Sequence, residues 1–271
     1  MTKITDFTQV LRISMVGSGQ VATHLALQLH HLGHDIVQIV GRNVDKAQQL
    51  ATQVSATAIV DYALFCPQVD LIFIAVQDAA IEQVAQQLQP YLHEHHILLH
   101  TSGSTDLQKI QQYHTNAVVF YPLQTFSVGR EIAWHNVPLL LEFANKEQQQ
   151  SVCHLAAQIS QRCYEYSSQQ RLSLHLAAVV ACNFSNFCYD LAYQFMRQQQ
   201  VDFQLLTPLI LETAQKATLY PPHQVQTGPA RRQDQSILAQ HQQLLAQLQQ
   251  QDLAQVYALM SDLIQKRHTV V

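Results

Sequence analysis

The chain has 271 residues, 48% of them hydrophobic, which is enough for one large domain or two modest ones with a sizeable core. A net charge of −4 gives no electrostatic reason to expect a nucleic-acid partner. No apolar run stands out as membrane-spanning, and the opening residues Met1 to Asp6 lack the apolar stretch of a signal peptide. The five cysteines contain no C-x-x-C pair, which suits reduced thiols. The expectation is a cytoplasmic protein without a membrane or nucleic-acid partner.

Along the chain, short β-branched runs at 12–16, 36–40, 57–60, 71–76, 97–100, 117–121, 137–142 and 163–167 read as strands. Helical spacing fills most of the gaps, as at 79–88 and 146–159. Such alternation, with strands apolar almost throughout, predicts a doubly wound, mostly parallel α/β sheet covered on both faces. From Ser168 the texture changes. Residues 168–199 hold no Gly or Pro, and helical patterns follow at 202–218, 234–250 and 252–266. The expected organisation is therefore a nucleotide-binding domain over 1–167 and an all-helical domain over 168–271. The Gln-rich tract 240–251 keeps an apolar stripe through Leu244, Leu245 and Leu248, so it too is expected to be helical.

The first strand runs directly into Gly17-Ser18-Gly19-Gln20-Val21-Ala22 and then a helix. This is G-x-G-x-x-A, a dinucleotide fingerprint in the strand–turn–helix setting it requires. Gly17 allows the tight turn, Gly19 leaves room for a diphosphate, and Ala22 permits close packing of helix on strand. The helix start aims its free N–H groups at the phosphates. The second strand ends in Gly41-Arg42-Asn43, where an NAD-binding chain would place an acid for the ribose hydroxyls. Arg42 and, one turn later, Lys46 offer donors to a 2′-phosphate, which points to NADP; Asn43 reads also as a helix N-cap. The missing acid argues equally against an S-adenosylmethionine methyltransferase.

Ligands of open α/β sheets gather beyond the carboxyl ends of the strands. The fourth strand ends at Val76 and Gln77, followed by Asp78 as the expected N-cap of the next helix. The fifth ends in His100-Thr101-Ser102-Gly103-Ser104, whose Ser102 and Ser104 are candidates to position substrate and equally ordinary turn formers. On the long helix His175, Cys182 and Asn186 stand at i, i+7 and i+11 with Asn183 beside them, one polar face that could line a cleft between the domains. Arg231 and Arg232 precede a later helix and could clamp a carboxylate. Glu212 and Lys216 form an i,i+4 pair expected at the surface. The crowded His93-Glu94-His95-His96 reads as a solvated segment rather than a metal site.

Together with Leu174-His175-Leu176, Cys182-Asn183-Phe184, Tyr121-Pro122-Leu123-Gln124-Thr125-Phe126 and Gln226-Thr227-Gly228-Pro229-Ala230, these segments resemble an uncharacterised family of Rossmann-type proteins. The family looks related to pyrroline-5-carboxylate reductase and to deazaflavin-linked NADP oxidoreductases. The resemblance implies NADP as cofactor, a helical second domain like that of 6-phosphogluconate dehydrogenase, and a homodimer formed through those helices. In 3-hydroxyacid dehydrogenases of the wider group a catalytic Lys precedes an Asn by one turn. If Asn183 is that Asn, Val179 holds the Lys position here, which tells against the same mechanism. The expected activity is NADP-dependent hydride transfer to or from a small carbonyl or imine, with His175 as acid or orienting donor. A non-catalytic NADP-binding sensor or scaffold is the rival reading.

Overall fold

A computed structural model describes residues 10–269; the N-terminal segment read above for a leader lies outside them. The chain forms two compact units, dividing between Ala178 and Val179. In the first, β1 (Arg12–Val16), β2 (Asp35–Val40), β3 (Thr57–Ile59), β4 (Leu71–Ile74), β5 (Ile97–His100), β6 (Ala117–Pro122), β7 (Leu139–Phe143) and β8 (Cys163–Glu165) make one sheet. Their order is β3-β2-β1-β4-β5-β6-β7-β8. The first six strands are parallel and follow the doubly wound order 3-2-1-4-5-6, while β7 runs antiparallel to β6 and β8 pairs parallel with β7.

Two apolar layers cover the sheet, because its strands are buried on both sides. One packs Ile13, Met15, Phe73 and Phe120 against α1 (Gln20–His31), α2 (Val44–Gln53) and α5 (Gln149–Ile159). The other packs Val16, Ile72, Ile74 and Leu98 against α3 (Ile81–Leu88) and the short α4 (Gln108–Gln111). The order reverses between β1 and β4, so the crevice where a ligand can enter opens beyond the ends of those two strands.

A continuous helical stretch then begins with α6 (Ser168–Ala178), passes through π-helical turns at Val179–Phe184, and continues as α7 (Ser185–Gln198). The shared polar face expected of His175, Cys182 and Asn186 assumed uninterrupted α-geometry, and the π turns remove that assumption. Within this stretch lies an 18-residue window of mean hydropathy 1.3, none of it buried. By length and composition this helix can cross a bilayer, contrary to the expectation from sequence. Ala, Leu, Val, Phe and Cys outweigh the scattered polar residues that made the run look broken.

The second unit continues with α8 (Thr207–Leu219), α9 (Gln235–Gln247) and α10 (Gln251–Thr269). The Gln-rich tract is helical apart from a turn around Gln249, with Leu238 and Leu245 buried beneath it. Lys216 and Glu212 meet at 2.8 Å on the surface, as expected. Phe184, Phe187, Leu209, Leu211, Leu259 and Leu263 all stay exposed.

Candidate active site

The turn after β1 is fixed by its backbone. Gly17 sits at φ +126°, where L-residues are strained, and a Cβ there would lie 2.2 Å from the Ala75 carbonyl oxygen. Its N–H donates to the Val40 carbonyl at 2.8 Å, tying the turn to β2. A Cβ on Gly19 would meet no atom within 4 Å, so this position opens into free space. Ala22 is wholly buried against the sheet. Asn43 caps α2, its Oδ1 accepting from the Lys46 amide at 3.0 Å.

These pieces converge on a groove of about 500 Å³ lined by Ser18, Gly19, Gln20, Val21, Gly41, Arg42, Asn43, Lys46, Val76, Gln77, Asp78 and Thr101. The strand-end residues expected from sequence to touch the cofactor are therefore collected on one surface. Gly17 and Ala22 shape it from below. A neighbouring hollow holds Val60, Asp61 and Tyr62 beside Arg42, residues the sequence reading did not single out. The open glycine, the helix N-terminus and the Arg42–Lys46 pair fit a phosphorylated dinucleotide, with donors for the diphosphate in the middle and for a 2′-phosphate at one end.

Asp78 is not the helix cap expected. It occupies the first position of a 3₁₀ turn, Asp78–Ala80, and its carboxylate accepts a hydrogen bond from the Ser104 hydroxyl. Ser102 is 5% exposed, and its Oγ accepts from the amides of Ser104 (3.1 Å) and Thr105 (2.9 Å). That hydroxyl braces the turn. Ser104 stays near the groove through Asp78.

Beside this turn stands a pair that joins β6 to α6. The Tyr121 hydroxyl and His175 Nδ1 are 3.2 Å apart, their rings set edge to face. They meet over Gly103, where a Cβ would lie 2.6 Å from Tyr121 Cζ and 2.8 Å from His175 Nδ1. Burial, with the negative charge of Asp78 adding to it and Arg171 opposing, pushes the Tyr121 phenol up to about 12, so it remains protonated. His100, fully buried at the end of β5, is pushed down to about 3 by burial and the nearby Arg171 charge, and stays neutral.

Arg171 went unnoticed in the sequence. It is 1% exposed and bonds the Glu142 carboxylate, the Thr105 carbonyl and, at 3.1 Å, the Ser168 hydroxyl. Glu142 also accepts from the Ser168 amide (2.9 Å) and hydroxyl (2.7 Å), closing the start of α6. The network fixes the helix that carries His175 against β7 and the β5 turn. A lone Glu ending an apolar strand and an Arg one turn into an uncharged helix were the available signals.

The remaining candidates lie in the second unit. Asn183, Asn186, Arg231 and Arg232 are exposed there, and the turn before α9 ends at Asp234, which caps that helix through the Ile237 amide. No group of three His, Cys, Asp or Glu among the described residues is placed to hold a metal. At His93–His96 the imidazoles pack on one another, and His96 is buried against the Pro67 carbonyl.

Comparison with known proteins agrees with the fold and with NADP as the cofactor. A family described as NADP oxidoreductase, coenzyme F420-dependent, matches residues 12–103, and a domain of unknown function, DUF2520, matches residues 137–264. No curated protein matches. Among the solved structures that share the fold at low identity are two reductases. One is an imine reductase from Myxococcus stipitatus in complex with NADP+ (13% identity, TM-score 0.65, covering 94% of this chain and 93% of that one). The other is a pyrroline-5-carboxylate reductase from Coxiella burnetii (15%, TM-score 0.58, 96% and 98%). A Bacteroides fragilis protein assigned as an NADP oxidoreductase, BF3122, is 34% identical with a TM-score of 0.90, over 95% of this chain and 98% of that one. At that identity and coverage, the chain belongs to this family of NADP oxidoreductases.

Proposed function

We propose that the protein transfers a hydride between NADP and a small carbonyl or imine, with His175 handling the proton. The observation that carries this reading is the Tyr121–His175 hydrogen bond, set over Gly103 beside the turn that ends the cofactor groove. Bound NADPH would supply the hydride. The phenol, held protonated, donates to Nδ1 of a neutral imidazole and accepts from Nδ1–H of a charged one. Either way it orients the ring, leaving Nε2 to pass a proton to the substrate heteroatom. Ser104 and Asp78 form the polar wall next to this pair. On this reading the exposed Asn183, Asn186, Arg231 and Arg232 serve the substrate, and the second unit, which begins at Val179 rather than at the expected Ser168, is the substrate and dimerisation domain.

His175→Ala is expected to lower turnover at least tenfold while leaving the NADPH dissociation constant unchanged. Undiminished turnover would remove His175 from the mechanism. Tight NADPH binding with no oxidation of it by a broad panel of keto acids and cyclic imines would favour the sensor reading.

We further propose a homodimer formed through the exposed apolar helices. Phe184, Phe187, Leu209 and Leu263 are each more than half exposed, apolar surface that a second copy of the chain would cover. Sedimentation or light scattering should give a mass near 61 kDa, twice the 30.7 kDa of one chain; a monomer at micromolar concentration would refute the dimer. Five free cysteines support a reducing, cytoplasmic setting.

A further inference from the structure

The loop from β6 to β7 is built more firmly than a simple connection requires. The Phe126 ring lies 5.4 Å from His24 on α1 and 5.8 Å from Trp134. His24 Nε2–H donates to the Ser127 carbonyl at 3.1 Å. Phe126 and Ile132 both pack on the core beneath α1, so the loop is pinned at either end. Between the pins the chain reverses. The Arg130 amide reaches the Ser127 carbonyl at 3.4 Å, and Gly129 takes φ +71° at the third position of the turn. The tip, Val128 to Arg130, is exposed.

Between this tip, α1 and α2 runs a second groove of about 740 Å³. Its walls include Thr23 and His24 from α1, Lys46 from α2, and Arg130 with Glu131 from the turn. Ser18, Gly19, Gln20 and Lys46 line this groove and the cofactor groove alike. The two hollows thus meet over the glycine turn, where the free N–H groups of α1 point. A diphosphate seated on those groups would lie at the shared mouth, where Lys46 lines both hollows and Arg130 stands in the wall of the second. Among the described residues the Arg130 guanidinium has no hydrogen bond or ion pair. Glu131, the one carboxylate in the lining, is outnumbered by the two cations.

We propose that Arg130 is a phosphate-binding residue of the cofactor site, carried on a strap that borders the diphosphate opposite the start of α1. The proposal rests on the NADP reading of the main groove and adds a residue to it. A guanidinium suits the task because its fork of donors matches two phosphate oxygens. Every nicotinamide dinucleotide carries the diphosphate, so Arg130 strengthens NADPH and NADH binding alike. Arg42, beside the 2′-phosphate position, strengthens NADPH alone.

The test titrates NADPH and NADH by nicotinamide fluorescence into the full chain and into Arg130→Ala, Arg130→Lys and Arg42→Ala. Arg130→Ala should raise both dissociation constants about tenfold, leaving their ratio and the ligand-free melting temperature unchanged. Arg130→Lys should recover part of the loss, and Arg42→Ala should raise the NADPH constant only. Unchanged constants in Arg130→Ala would overturn the proposal, and so would a loss confined to NADPH, which would place Arg130 at the 2′-phosphate. Equal affinity for the two dinucleotides in the unmutated protein would instead count against Arg42. Binding of neither would refute the cofactor reading and the strap together.

Discussion

Gly17→Ala is expected to abolish measurable NADPH binding and to lower the melting temperature by about 10 °C. Two costs coincide at this position. The backbone at φ +126° is one that L-residues avoid, and the added carbon would sit 2.2 Å from a carbonyl oxygen rather than from a movable side chain. That carbonyl belongs to Ala75, whose own amide is bonded to the Val16 carbonyl at 2.8 Å, so relief requires shifting β4 against β1. Strain and displacement together are on the order of 3 kcal/mol. The turn then no longer aims the N–H groups of α1 correctly. Gly19→Ala makes the control. Its methyl meets no protein atom within 4 Å, so folding should be untouched while the groove is partly filled. A fluorescence titration and a thermal melt of both variants decide the matter, and native NADPH affinity in Gly17→Ala would break the argument.

Arg171→Met should destabilise the first unit by about 3–5 kcal/mol, the usual cost of breaking a buried ion pair by removing one partner. The replacement fills comparable volume but leaves the Glu142 carboxylate, itself 20% exposed, without its cation. It also strips the Thr105 carbonyl of its donor. The double variant Arg171→Met/Glu142→Gln should recover part of the loss, because no uncompensated charge remains. Urea unfolding of the three proteins measures this directly. A single variant as stable as the parent would show that the network is dispensable. Turnover should fall along with stability, since α6 carries His175 and is fixed through Ser168 to the same carboxylate.

Much of the fold could be read in advance because its signals are local. Each strand is a short apolar run with β-branched residues, and each observed strand lies within two residues of its expected ends. The turn at Gly17 and Gly19 and the donors Arg42 and Lys46 follow strand ends, so knowing the strands located the groove. The reversal of β7 was not readable, since strand polarity leaves no mark in composition. Asp78 was misjudged for a related reason. Side chains that bond to turns can be exposed or hidden, and only tertiary packing decides which. Tyr121 lay inside a motif already noted, yet its partner is 54 residues away on another element. The polar positions on the long helix were projected with 3.6 residues per turn, and the π-helical turns at Val179–Phe184 defeat that projection.

The bond from Gly17 to Val40 has a consequence for how fast and how tightly a dinucleotide is captured. A recognition loop already locked in its receiving shape loses no further disorder on meeting its ligand. Association should then be governed by diffusion and orientation, with affinity reporting the contacts themselves.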